Sequence, residues 1–166
     1  MTTALYSVSV SSLTINDELF TSSGAQSMYQ AAVDELGRRY GPGDEEWQID
    51  PQEFTPPLGI FLVARLDAHP AGCVAVRSIS DPALHLGEVK RLWVRPDLRR
   101  SGLAGELMSR IEERSREAGY VRLYLETGEA QPEAQALYPK LNWTPVDEFP
   151  SGAYSYPNAF RFTKLL

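Results

Sequence analysis

The stretch Glu88-Val89-Lys90-Arg91-Leu92-Trp93-Val94-Arg95-Pro96, followed by Arg99-Arg100-Ser101-Gly102-Leu103-Ala104-Gly105, decides the fold. Its first half reads as a strand closed by Pro96. Beyond the proline the apolar period changes to that of a helix. Leu103, Leu107, Met108, Ile111, Ser115 and Ala118 fall on one face, and Glu106, Arg110, Glu113, Arg114 and Glu117 on the other. Gly119 is a natural stop for that helix. A strand therefore runs through a glycine-bearing turn into a long amphipathic helix.

Working outward, Gly59 to Leu66, Ala71 to Ile79 and Leu86 to Val94 are strand-like runs joined by Asp67-Ala68-His69-Pro70 and Ser80-Asp81-Pro82-Ala83. These connectors carry turn chemistry, so an antiparallel meander is expected. Upstream, Met28, Ala31, Ala32, Leu36 and Tyr40 recur at helical spacing, which predicts a helix from Ser23 to Tyr40 stopped by Gly41-Pro42-Gly43. Leu5 to Val10 alternates with the period of a first strand, and Asp44 to Pro57 reads as an acidic loop with a short helix at most. Downstream, Val121 to Leu125 is a short strand, and Gln131-Pro132-Glu133 opens a helix with proline at its favoured first position. A last strand lies within Ala159 to Leu165. Strand, helix, three strands, helix, strand, helix, strand makes a mixed α+β layer structure, and the 166 residues are read as one domain, 1–166.

Hydrophobic and charged contents of 43% and 23% are ordinary for globular chains and exclude a disordered or fibrous class. No apolar run reaches the roughly 20 residues that cross a bilayer, so a soluble, cytoplasmic protein without a membrane partner is expected. The net charge of -6 argues against nucleic acid as a partner and is compatible with a cationic amine. The single cysteine, Cys73, sits in an apolar strand and reads as a buried structural thiol. His69 and His85 have no partner at ligand spacing, so no metal site is expected.

The turn before the long helix carries chemistry. Uncovered N–H groups at a helix start, with the helix dipole behind them, attract an anion such as phosphate. Gly102 and Ala104 leave that backbone bare, and Arg99 and Arg100 add positive charge. The sequence has neither Gly-x-x-x-x-Gly-Lys-Ser/Thr nor Gly-x-Gly-x-x-Gly here, which removes the usual nucleoside-triphosphate and dinucleotide readings.

This arrangement resembles the Gcn5-related N-acetyltransferase (GNAT) superfamily, whose Arg/Gln-x-x-Gly-x-Gly/Ala signature is matched by Arg99, Gly102 and Ala104. A second resemblance lies downstream, against Asn-x-x-Ala-x-x-Leu-Tyr-x-x-x-Gly-Phe: Ala134, Leu137 and Tyr138 fit, while Gln131, Asn142 and Trp143 stand for asparagine, glycine and phenylalanine. Asparagine tolerates the left-handed conformation of a glycine. Pro139 is a departure that predicts Tyr138 pushed away from helical geometry.

The resemblance implies a three-layer GNAT-like fold, with a central mixed, mostly antiparallel sheet and helices on both faces. It implies acetyl-CoA as acyl donor, its pantetheine arm on Leu92, Trp93 and Val94 and its phosphates on Arg99, Arg100, Ser101, Gly102, Leu103 and Ala104, with Gln131 also at the cofactor. It places a general base at Glu88, an acid for the coenzyme thiolate at Tyr138, and an oxyanion donor in the backbone near Trp93 or Val94. Asp44-Glu45-Glu46-Trp47 joins acid to an aromatic face, so Glu45 and Trp47 are the acceptor-binding candidates. The expected activity is acetylation of a small primary amine by direct attack. A non-catalytic acyl-CoA sensor and a protein lysine or N-terminal acetyltransferase stay as alternatives, and homodimerisation is left open.

Overall fold

The computed structural model describes residues 12–41, 50–79, 81–150, 153 and 155–166. The expected strand at Leu5 to Val10 lies outside these residues. The first strand described is β1 (Leu13–Asp17), antiparallel to β2 (Ile60–Leu66) from Leu13↔Leu66 to Asp17↔Leu62. The helix α1 spans Ser23–Tyr40. Ser22 caps it by accepting the Ala25 N–H at 3.1 Å, and Gly41 closes it at φ 89° with its N–H on Gly37 O. Among the described residues of the acidic stretch after it lies a short 3-10 turn, Pro51–Phe54, capped by Asp50.

The meander follows as β2, β3 (His69–Ser78) and β4 (Leu86–Val94). Strand β3 starts two residues earlier than the sequence suggests, because His69 and Pro70 already pair with Leu66 and Arg65. The helix α2 (Leu103–Glu117) ends on Gly119 at φ 93°. There Gly119 N–H bonds Arg116 O and Tyr120 N–H bonds Ser115 O, so the last carbonyls are satisfied. The chain continues through β5 (Arg122–Thr127), α3 (Pro132–Lys140), β6 (Thr144–Val146) and β7 (Phe160–Leu165).

Among the described residues, seven strands form one sheet in the order β1-β2-β3-β4-β5-β7-β6, in which β4 and β5 are the pair that runs parallel. Alternation along the central strands sends side chains into two cores. Ile60, Leu62, Ala64, Val74 and Val76 meet Leu107, Met108 and Ile111 of α2, together with Tyr138 and Trp143. Phe61, Val63, Cys73 and Ala75 point the other way and meet Ala25 and Met28 of α1 with Phe20 and Phe54. Helices thus cover both faces, as the sequence implies, and β2 and β3 read as continuous apolar runs because both of their faces are buried.

Two features differ from expectation. Strand β6 escapes a pattern search because it has three residues and carries Pro145, which an edge strand accepts. Pro139, expected to turn Tyr138 out of helical geometry, lies inside α3 instead. The helix ends one residue later, so the missing N–H removes one bond from its closing turn. Tyr138 O is taken up there by the N–H of Leu141 and of Trp143, both at 3.0 Å. Asn142 follows at φ 62°, in the left-handed conformation its type tolerates.

Candidate active site

The site begins where the sheet comes apart. Strands β4 and β5 pair only from Leu86↔Arg122 to Glu88↔Tyr124. Beyond Glu88, β4 follows β3 through a bulge with Arg91 at φ 57°, while β5 follows β7 as far as Thr127↔Phe160. A cavity of about 1270 Å³ fills the gap. That exceeds the usual range for one drug-sized ligand, so it has room for a long ligand and a second, smaller one. Arg95 N–H bonds Ala71 O of β3 at 2.9 Å, so by alternation the Val94 N–H faces the gap.

At one end of the cavity lies the start of α2. Gly102 holds φ 92°, and a Cβ placed on it would meet no atom within 4 Å. The helix has no side-chain cap. The first-turn N–H groups of Leu103, Ala104 and Gly105 have no partner within the helix and open onto the cavity that these residues line. A donor set of this kind, uncapped and sterically open, fits a pyrophosphate. Arg99 is more constrained than its charge suggests: its Nε donates to Val94 O at 3.0 Å and its guanidinium pairs with Glu35 of α1. Trp93 Nε1 donates to the same carboxylate at 2.7 Å. Arg39, one turn on, reaches across to Glu133 at 2.5 Å and Ala130 O at 2.9 Å. The end of α1 therefore ties both lips of the gap together.

Tyr138 lines the cavity from α3, its ring 5.4 Å from Phe162 and 6.2 Å from Trp143. Burial pushes its phenol well above the ordinary tyrosine range, so it stays protonated and can donate. Gln131, at the start of α3, accepts from Thr127 Oγ1 at 3.2 Å and Tyr40 Oη at 3.4 Å.

The opposite wall is a charge cluster. Glu88 is 1% exposed; its carboxylate lies 2.9 Å from Arg77 and 2.5 Å from Lys90. Arg77 also pairs with Glu53 at 2.7 Å, and Lys90 Nζ stands 3.6 Å from Glu126. Arg77, Lys90, Glu53 and Glu126 line the cavity, whereas Glu88 stands behind them.

With this geometry, residues 25–143 match the acetyltransferase (GNAT) family. The chain belongs to that family. It is 36% identical over 125 residues to an IAA acetyltransferase of Azospirillum brasilense, covering 74% of this chain and 79% of that one. It superposes with a TM-score of 0.72 on a Klebsiella pneumoniae structure assigned as an acyl-CoA N-acyltransferase, at 26% identity, covering 93% of this chain and 97% of the other. A PaiA N-acetyltransferase of Thermoplasma acidophilum, solved with coenzyme A, shares the fold at a TM-score of 0.69 and 16% identity, over 93% and 99% of the two chains.

Among the residues singled out in the sequence of this GNAT protein, Leu92, Trp93, Val94, Arg99, Arg100, Gly102, Leu103, Ala104, Gln131 and Tyr138 all border the one cavity. Ser101 does not: its hydroxyl turns back to Leu98 O at 2.7 Å. Glu45 and Trp47 lie outside the described residues. Cys73 is fully buried and its thiol is pushed up to about 12 by that burial, consistent with a structural role. Among the described residues no cluster of three His, Cys, Asp or Glu could hold a metal, and no helix is long and apolar enough to cross a membrane. Sequence reasoning missed Glu35, Arg39, Arg77 and Glu126. The available signal was Glu126 itself, a charge on the face of β5 opposite Leu123 and Leu125.

Proposed function

We propose that this protein is an acetyl-CoA-dependent N-acetyltransferase whose residues 1–166 act as one domain, and that it acetylates the primary amine of a small molecule by direct attack. The observation that carries the reading is that the uncapped start of α2, the open edge of β4 and the buried phenol of Tyr138 all face one cavity. When bound, acetyl-CoA supplies the activated thioester. The backbone from Arg99 to Ala104 holds its pyrophosphate, the edge from Leu92 to Val94 aligns its arm, and Gln131 borders it from the facing lip. The Val94 N–H is aimed where an oxyanion donor is needed. Tyr138 holds a proton at Oη for the departing sulfur. Glu88, ion-paired with Lys90 Nζ 2.5 Å away, is the proton acceptor for the amine, and the proton reaches it from the cavity through water.

The test has two parts. Calorimetry should detect coenzyme A binding, and free thiol should appear from acetyl-CoA on addition of at least one member of a panel of small primary amines. Binding without release over small amines, lysine peptides and free N-termini would make the protein an acyl-CoA sensor. Release with peptides alone would make it a protein acetyltransferase. No binding at millimolar coenzyme A would remove the reading altogether.

A further inference from the structure

We infer that Glu126 is the seat of the acceptor's ammonium group and selects a cationic amine over a neutral acceptor, an inference that rests on the acetyltransferase reading. Glu126 lies two residues past the last β4–β5 pair, on the wall of the cavity. Its two carboxylate oxygens have different surroundings. Oε2 accepts from Ser155 Oγ at 2.7 Å and from the Tyr156 N–H at 3.2 Å, so the chain after β6 fixes the carboxylate in place. Oε1 is buried and has no hydrogen-bond partner, and the side chain as a whole is 6% exposed. Holding the loop uses Oε2 and leaves Oε1 without a role.

Charge gives the occupant its sign. The one cation within 4 Å of Oε1 among the described residues is Lys90, at 3.6 Å, and Lys90 is already 2.5 Å from Glu88. Arg77 is shared between Glu88 and Glu53. Arg161 meets Glu126 only on its Oε2 side, through Ser155 Oγ. Two buried carboxylate oxygens lack a hydrogen-bond donor, Glu88 Oε1 and Glu126 Oε1; the first has Lys90 Nζ at 2.5 Å and stands behind the wall, so the one on the cavity wall left for a ligand is Glu126 Oε1. A buried charged acceptor left unpaired is costly, and a ligand bringing an N⁺–H donor relieves that cost. An ammonium offers three such donors and no acceptor. An anionic acceptor would be repelled, and an alcohol would bring a hydrogen bond without the charge.

The experiment uses two probes of equal shape, n-butylammonium and n-butanol, titrated by NMR into the whole protein with saturating coenzyme A. Wild type is expected to prefer the ammonium. Glu126→Gln keeps an oxygen for Ser155 and removes the charge, so ammonium affinity should fall about 10- to 100-fold, the range for losing a charge-assisted hydrogen bond. Butanol affinity should not change, and Glu113→Gln, on the exposed face of α2, should behave as wild type. An ammonium preference that survives in Glu126→Gln, or is absent from wild type, overturns the inference. Should Glu126→Gln fail to fold, Glu126→Asp withdraws the charge by one methylene, and an undiminished preference there overturns it equally. Coenzyme A binding by Glu126→Gln reports separately on the acetyltransferase reading. If wild type does not bind coenzyme A, that reading fails, and the same titration without coenzyme still decides whether Glu126 holds an ammonium.

Discussion

Tyr138 and Glu88 are both buried, and burial serves them differently. Tyr138 packs on Phe162 and Trp143 with its pKa raised, so Tyr138→Phe removes a proton donor while leaving the ring in place. Turnover should fall on the order of 100-fold, with acetyl-CoA affinity within about twofold of wild type, because the contact matters in the transition state. Steady-state rates and calorimetry on the same sample check this, and unchanged turnover would mean that the sulfur departs without the phenol. Glu88→Gln keeps size and removes the proton acceptor. Its turnover should fall most at low pH, where the acceptor is protonated, and recover as pH rises and free amine becomes abundant. A pH–rate profile parallel to wild type would leave Glu88 as the charge partner of Lys90 and Arg77 only. Both residues were legible as candidates through the family motifs. Glu126 and Glu35 were not, because their importance lies in which charges face them across 36 and 64 residues of chain, as Lys90 faces Glu126 and Arg99 faces Glu35.

Elements were legible in proportion to the length and regularity of their pattern. The bounds of α1 and β4 agree with the sequence, since one has a long apolar stripe with a serine cap and the other a clean stop at Pro96. Strand β5 runs two residues further than its apolar core, to Thr127, because β7 keeps pairing with it after β4 has left. That divergence makes the cavity, and no local pattern encodes it. The start of α2 is where an element becomes a site, so its prediction concerns Gly102→Asp. The position has φ 92° and open space around a new Cβ, so the variant should fold, at the cost of the strain any L residue meets there. Its carboxylate would stand where the helix N–H groups meet phosphate. Coenzyme A affinity should fall on the order of 100-fold, from blocked approach plus like-charge repulsion. Wild-type affinity in a folded Gly102→Asp sample would show that the anion site lies elsewhere.

At the scale of the whole molecule, α1 on one face of the sheet is joined to the α2 and α3 side through Glu35 and Arg39, and this junction should set the acid limb of stability. Burial alone would raise the pKa of Glu35, but hydrogen bonds from Arg99, Trp93 and Arg39 outweigh it and hold the carboxyl below its ordinary value of 4.5. Glu133 is lowered in the same way, its burial outweighed by Arg39. A carboxylate with a lowered folded pKa adds stability that is fully present above the unfolded value and is lost as pH falls through the folded one. The alkaline side has the opposite sign. Burial raises the Cys73 thiol and the Tyr120 phenol, each to about 12, so the stability they confer is complete below their ordinary values of 9.0 and 10.0 and is lost above them. Urea midpoints from pH 3 to pH 11 should therefore trace a plateau that falls at both ends. Glu35→Gln keeps a hydrogen-bond acceptor but gives up the charge that Arg39 and Arg99 meet, and should cost about 1–2 kcal/mol at neutral pH. Its deficit should shrink as pH falls below the ordinary glutamate value of 4.5 and through the lowered pKa of wild-type Glu35, where that carboxylate takes up its own proton, and the alkaline limb should be unaffected. A deficit that stays constant down the acid limb would show that other carboxylates govern acid unfolding and that Glu35 holds α1 across the gap by its shape alone.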